Sequence, residues 1–301
     1  MHARIQLTVI LVLAALFGLT LACTTPEPEQ PVPAPETESV AALPSASGLP
    51  PKAETALATL ESSPRHGEWV DIELPGSDVP IATWVVYPER SDNAPLVLVI
   101  HEIFGLTDWI RAVADQLAAD GFIALAPDLL SGHGPDGGAT DSIGGRDEVI
   151  AAIRALDPVD RTERLNAVRT YALSIPAGNG RLGTVGYCWG GGASFDYAVS
   201  QADLDAAVVY YGTSPEDTSD YEQINAPVLG LYAGDDQRVN ATVPTAEEAM
   251  TAHSKQYEPV FYEGAGHGFL RAQADREGAN MRATEQAWPR TIEFFREHLE
   301  S

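Results

Sequence analysis

The run Leu96-Val97-Leu98-Val99-Ile100 is apolar without a break, and no other feature narrows the possible folds of this chain so far. An antiparallel strand with one wet face alternates apolar and polar residues, whereas a strand covered on both faces does not. Further strand-like runs recur at Phe122–Ala126, Leu182–Tyr187, Ala206–Tyr211, Val228–Tyr232 and Tyr257–Tyr262. Helical patterns lie between them. Asp108 can cap a helix that sets Ile110, Val113, Ala114, Leu117 and Ala118 on one face and closes at Gly121. Others fall at Asp147–Leu156, Arg161–Leu173 and Ala283–His298, and Asp128–Gly145 reads as a loop. Val70–Leu74 and Ile81–Tyr87 read as an opening strand pair around the turn Pro75-Gly76-Ser77-Asp78. Strand, helix, strand in repetition predicts an α/β chain with a mostly parallel sheet and helices on both faces.

The first sixty or so of the 301 residues do not read as folded domain. The remaining ~235 suit a single hydrophobic core. Acidic side chains number 43 against 18 basic ones, a net charge of -25 with lysine only at Lys52 and Lys255. Such a surface repels polyphosphates and excludes nucleic acid as a partner. The acids are spread along the whole chain, which fits either a solubilising surface or adaptation to high salt.

His2 and Arg4 precede an uncharged apolar run, Ile5–Ala22, that ends at Cys23. This is the layout of a secretory signal. The stretch Leu19-Thr20-Leu21-Ala22-Cys23 resembles a bacterial lipobox, which implies lipid on the Cys23 thiol and cleavage just before it. An uncleaved membrane anchor and an ordinary cleaved signal are the alternatives. Residues 23–64, rich in Pro, Glu, Ala, Ser and Thr, read as a disordered stalk, leaving 65–301 as the domain. The expected address is therefore the cell envelope, outside the cytoplasm, lipid-anchored to a membrane. Cys23 and Cys188 have separate explanations, so no intramolecular disulfide is expected.

The chemistry gathers around Gly186-Tyr187-Cys188-Trp189-Gly190, which follows an apolar strand and precedes the small-residue stretch Gly191-Gly192-Ala193-Ser194. A nucleophile elbow needs glycine on both sides because the strand-to-helix turn is sharp. Here cysteine takes the place of serine. A thiol at a helix N-terminus, beside a histidine, is favoured as the thiolate. An acid and then a histidine should follow in the chain. Val228–Tyr232 leads into Asp235 and Asp236, and the last strand leads into Gly266-His267-Gly268. Both sets emerge at the C-terminal edge of the expected sheet, where ligands bind in such folds.

The pattern resembles the dienelactone hydrolase family of α/β-hydrolases over about Val70–His298. It rests on His101-Glu102-Ile103-Phe104-Gly105, the elbow through Gly191, Tyr210-Tyr211-Gly212 and Ala265-Gly266-His267-Gly268-Phe269. The resemblance implies an α/β-hydrolase fold and, by the spacing from Gly234 to Val239, selects Asp236 over Asp235. It also implies that Glu102 contacts the resting thiol and swings when substrate arrives. The N–H groups of Trp189 and Ile103 form the expected oxyanion hole. Arg146 and Arg271 match positions that clamp a substrate carboxylate, and Tyr211 is carried over as a substrate-binding residue. Ile150 stands where the lactone-cleaving members place an aromatic hydroxyl.

The expected activity is hydrolysis of a small, anionic ester or lactone through a Cys188 thioester, with no metal and no organic cofactor. The rivals are a thioesterase or peptidase on the same triad, or a non-catalytic envelope lipoprotein or redox sensor on a hydrolase scaffold.

Overall fold

The computed structural model describes residues 48–300. The signal segment, Cys23 and the expected stalk up to residue 47 lie outside the described residues. Eight strands are described: β1 Gly67–Ile72, β2 Ile81–Val86, β3 Ala94–Ile100, β4 Ile123–Pro127, β5 Gly178–Tyr187, β6 Ala206–Tyr210, β7 Val228–Ala233 and β8 Tyr257–Tyr262. They form one sheet in the order β1-β2-β4-β3-β5-β6-β7-β8. The β1-β2 and β2-β4 pairs are antiparallel and the others parallel. The helices are α1 Ala56–Ser62, α2 Asp108–Ala119, α3 Arg146–Ala155, α4 Pro158–Ser174, α5 Trp189–Ser200, α6 Gln237–Asn240, α7 Val243–Ala252 and α8 Ala279–Leu299.

Two apolar layers explain the unbroken strands. Val97 and Val99 of β3 pack with α2 and α8, through Val113, Leu117, Trp288 and Phe295. Leu96, Leu98 and Ile100 of the same strand pack with α4, α5 and α7, through Leu165, Phe195 and Val243. Alternate residues of one strand therefore serve opposite faces, and both must be apolar.

The expected stalk is too long at its inner end. The chain forms a short 3₁₀ turn at Ala53–Thr55 and then α1, and Ala56 is only 1% exposed. Ala53, Ala56 and Leu60 share the face that meets the core, at the three-and-four spacing of a helix. That stripe is short and sits in a Pro- and Glu-rich composition, which hides it. Buried side chains fix the entering backbone: the Trp109 indole donates to the Pro51 carbonyl at 2.9 Å, and Gln273 Nε2 to Pro50 at 2.8 Å. Strand β1 also begins earlier than expected, at Gly67, and ends at Ile72, with Trp69 set against Trp84 across the pair. Leu74 leaves the ladder to accept the turn bond from Ser77 N at 3.0 Å.

The loop after β4 is organised by Asp128, whose carboxylate accepts from Leu130 N, Thr140 N and Thr140 Oγ1 at 2.8–3.0 Å. Thr140 in turn lies against Gly105, where an added Cβ would come within 2.3 Å of its Oγ1. The loop is thus tied to the turn that carries Glu102, and it delivers α3 with Arg146 at its start.

Candidate active site

Cys188 joins the end of β5 to the start of α5 with φ 57° and ψ -115°, a backbone conformation that side chains rarely adopt. Its N–H donates to the Tyr210 carbonyl at 3.1 Å. The flanking glycines are steric requirements: a Cβ on Gly190 would lie 2.3 Å from the His101 carbonyl oxygen, and one on Gly186 would lie 1.8 Å from that of Gly190. Both obstacles are backbone, which cannot step aside. The strained turn presents the free thiol at the C-terminal edge of the sheet.

His267 comes from the loop after β8 and Asp236 from the end of β7. His267 Nε2 lies 3.0 Å from Cys188 Sγ, and Nδ1 lies 2.5 Å from Asp236 Oδ2. Asp236 is nearly buried, and its other oxygen accepts from Val239 N at 3.4 Å. Asp235 points elsewhere, to Arg276 at 2.9 Å on the surface. The imidazole loop is held by Gly266 N donating to Asn280 Oδ1 at 2.9 Å. Burial works against a charged His267, but the hydrogen bonds and charges of Cys188 and Asp236 outweigh it and raise its pKa. The arrangement can withdraw a proton from the thiol and stabilise the resulting imidazolium.

Glu102 is 3% exposed, and burial raises its pKa to about 7 against the opposing pull of Arg271, Arg146 and His267. Its close partner is Arg271, with Nε 2.9 Å from Oε1. The geometry makes this an ion pair without an aligned hydrogen bond. Among the described residues Glu102 makes no hydrogen bond to Cys188, and its ion pair is with the guanidinium. The guanidinium offsets the cost of burying a carboxylate, which the thiol could not do. Arg146 and Arg271 each set a guanidinium against the Phe104 ring, 4.0 and 5.2 Å from its centroid.

Tyr211 is buried, with φ 39° and its ring edge-on to His267 at 5.2 Å. Its hydroxyl has no hydrogen-bond partner among the described residues. Burial holds that phenol well above its ordinary pKa, and the nearby Glu102 adds to the effect. It therefore stays a neutral donor facing the site. Trp189 opens α5, so the helix itself cannot use its N–H. Ile103 sits inside the turn closed by Gly105 N on the Glu102 carbonyl at 3.1 Å, and its own N–H takes no part in that bond.

Two residues carry more of the site than the sequence signalled. Phe104, read only as part of a pattern, is the platform for both arginines. His101, read only as part of the same pattern, is fully buried beside Glu102 and stacks on Trp189. Burial holds its pKa down against the pull of Asp128, so the ring is neutral. Among the described residues no three His, Cys, Asp or Glu side chains gather as a metal would require.

A strained cysteine elbow, a histidine and a carboxylate at the carboxyl edge of an eight-stranded, mostly parallel sheet define an α/β-hydrolase. The profile of the Dienelactone hydrolase family matches residues 81–299, and the chain belongs to that family. Among its relatives is carboxymethylenebutenolidase 1 of Cupriavidus pinatubonensis, 30% identical over 206 residues, 68% of this chain and 86% of that one. A Salmonella typhi protein assigned as a carboxymethylenebutenolidase is 32% identical over 268 residues, 84% of this chain and 96% of its own. The crystal structure of a Klebsiella pneumoniae protein assigned to the dienelactone hydrolases superposes with a TM-score of 0.67 at 26% identity. It covers 77% of this chain and 98% of that one.

Proposed function

We propose that the chain hydrolyses a small carboxylic ester or lactone bearing an anionic group, through a thioester on Cys188. The observation that carries this reading is the continuous contact from Asp236 through His267 to the Cys188 thiol, 2.5 and 3.0 Å. His267 Nε2 takes the thiol proton, and Sγ attacks the acyl carbon, sending the carbonyl electron pair onto oxygen. The N–H groups of Trp189 and Ile103 receive that charge. Collapse of the adduct breaks the acyl carbon–oxygen bond, and His267 returns the proton to the leaving alkoxide. Water, deprotonated by His267, then cleaves the thioester to carboxylic acid and thiol.

The anionic group is supported by Arg146 and Arg271 both packing against Phe104 in a protein of net charge -25. A substrate carboxylate offered to Arg271 competes with Glu102 for the same guanidinium. Ile150, in place of an aromatic hydroxyl, leaves the reading at this substrate class and not at dienelactone itself.

The full chain is assayed against esters, thioesters and lactones, each with and without a carboxylate. Intact mass during turnover should show one acyl group, lost in Cys188→Ala together with activity. Full activity in Cys188→Ala would sink the covalent route. Arg271→Ala and Arg146→Ala should each cost the carboxylated ester about tenfold to a hundredfold in kcat/KM, as a charge-assisted contact of ~1.5–3 kcal/mol predicts. The methyl analogue should be spared, and equal losses on both substrates would reduce the arginines to scaffolding.

The same reading places the domain outside the cytoplasm, tethered through lipid on Cys23, on the strength of the apolar run and the lipobox-like stretch before it.

A further inference from the structure

We infer that His101 is a positioning residue that sets both halves of the oxyanion hole, an assignment that rests on the hydrolytic reading above. Leu129 N–H donates to His101 Nε2 at 3.2 Å, which makes Nε2 the acceptor and leaves the ring proton on Nδ1. Nδ1 then donates to the Glu102 carbonyl oxygen at 3.0 Å. That carbonyl and the Ile103 N–H belong to one planar peptide and point to opposite sides of it. Holding the oxygen fixes the direction of the N–H. Gly105 N–H grips the same oxygen at 3.1 Å, so the plane is held twice.

The other half is reached through stacking. The His101 ring lies nearly parallel to the Trp189 indole, 17° between planes and 5.7 Å between centroids. Trp189 is the residue whose N–H supplies the second donor. One side chain thus touches the peptide of one donor and the indole of the residue bearing the other. It is shut from solvent with both ring nitrogens engaged by backbone groups, so it has no free nitrogen to exchange protons with substrate. Its contribution is geometry, and a transition state that needs two aimed N–H groups is more sensitive to geometry than ground-state binding is.

Two probes of Cys188 separate this role from general support of the fold. Iodoacetamide alkylates the thiolate by displacing iodide from a saturated carbon, with no oxyanion. A trifluoromethyl ketone carrying a carboxylate adds the thiol reversibly, with the proton passing to His267 and the charge to the carbonyl oxygen. His101→Phe keeps an aromatic ring against Trp189 and loses both hydrogen bonds. It should be alkylated at the wild-type rate, yet bind the ketone and turn over ester about 10²–10³ worse with KM little changed. His101→Asn places an amide N–H where Nδ1–H stood and should recover at least tenfold of both. Wild-type ketone affinity in His101→Phe, or parallel losses in alkylation and ketone binding, would overturn the assignment while leaving the hydrolase standing. Should His101→Phe fail to fold, a thousandfold loss of ketone affinity in His101→Asn, which no tenfold recovery allows, overturns it instead. Wild-type protein that is alkylated but forms no ketone adduct would remove the oxyanion hole itself, and the assignment with it.

Discussion

Glu102 shows at the scale of one residue how a site is arranged at a cost to stability. Its carboxyl is shifted from 4.5 to about 7 by burial, against the opposing charges of Arg271, Arg146 and His267. A folded-state pKa above the unfolded value means that the folded protein holds the proton more tightly, so stability is greatest below pH 4.5 and is lost as pH rises to 7. Glu102→Gln stays neutral throughout. It should unfold at the same denaturant midpoint as wild type near pH 4.5 and become more stable by about 3 kcal/mol above pH 7, since each tenfold difference in proton affinity between the folded and unfolded chain is worth ~1.4 kcal/mol. A stability difference independent of pH would show that the carboxylate is not ionising inside the fold. Protonation also releases Arg271 from its ion pair. KM for a carboxylated substrate should therefore fall as the pH is lowered from 8 to 6, while that of a neutral ester does not follow, and Glu102→Gln should flatten the difference.

At the scale of elements, the segment before β1 belongs to the domain although residues 81–299 alone carry the family match. Ala53 N–H donates to the Arg271 carbonyl at 3.1 Å, beside the bonds that Trp109 and Gln273 make to Pro51 and Pro50. Removing residues before Ser63 takes the acceptor from the Trp109 indole and one of the two acceptors from Gln273 Nε2, at ~1–3 kcal/mol each, and uncovers the face that α1 protects. With ~2–4 °C per kcal/mol for a domain of this size, Tm should drop by on the order of 10 °C relative to a chain starting at Gly48. Differential scanning calorimetry of the two chains decides it, and equal midpoints would return this segment to the stalk.

Over the whole molecule, the charge of -25 bears on the address. Such a surface is repelled by anionic lipid, so retention at a membrane needs a covalent or inserted anchor. With Cys23→Ala, labelled fatty acid should no longer be incorporated, and the protein should leave the membrane fraction for the soluble one or remain as an uncleaved precursor. Undiminished labelling in that variant would refute the anchor at Cys23. Against the same negative background, Arg146 and Arg271 beside the Phe104 ring are a local positive charge, and the proposed selection of an anionic substrate rests on them.

The period and content of the apolar runs determined the α/β class, because a strand serving two apolar layers must be apolar at every residue, as β3 is. The cysteine elbow was legible for a similar reason: Gly186 and Gly190 face backbone at contact distances that no side chain survives, so the chain has to spell the turn out. The acid was legible only as a pair, Asp235 or Asp236, until family spacing chose between them. In three dimensions the choice is made by the turn of backbone into α6, which aims Asp236 at His267 and Asp235 at Arg276. The partner of Glu102, the platform of Phe104 and the Leu129 bond that fixes the His101 tautomer depend on residues 28 to 169 positions apart brought to one edge of the sheet. No local pattern records such contacts. Nor could composition show that residues 50–62 fold, since their short apolar stripe becomes a buried face only once α2 is there to cover it.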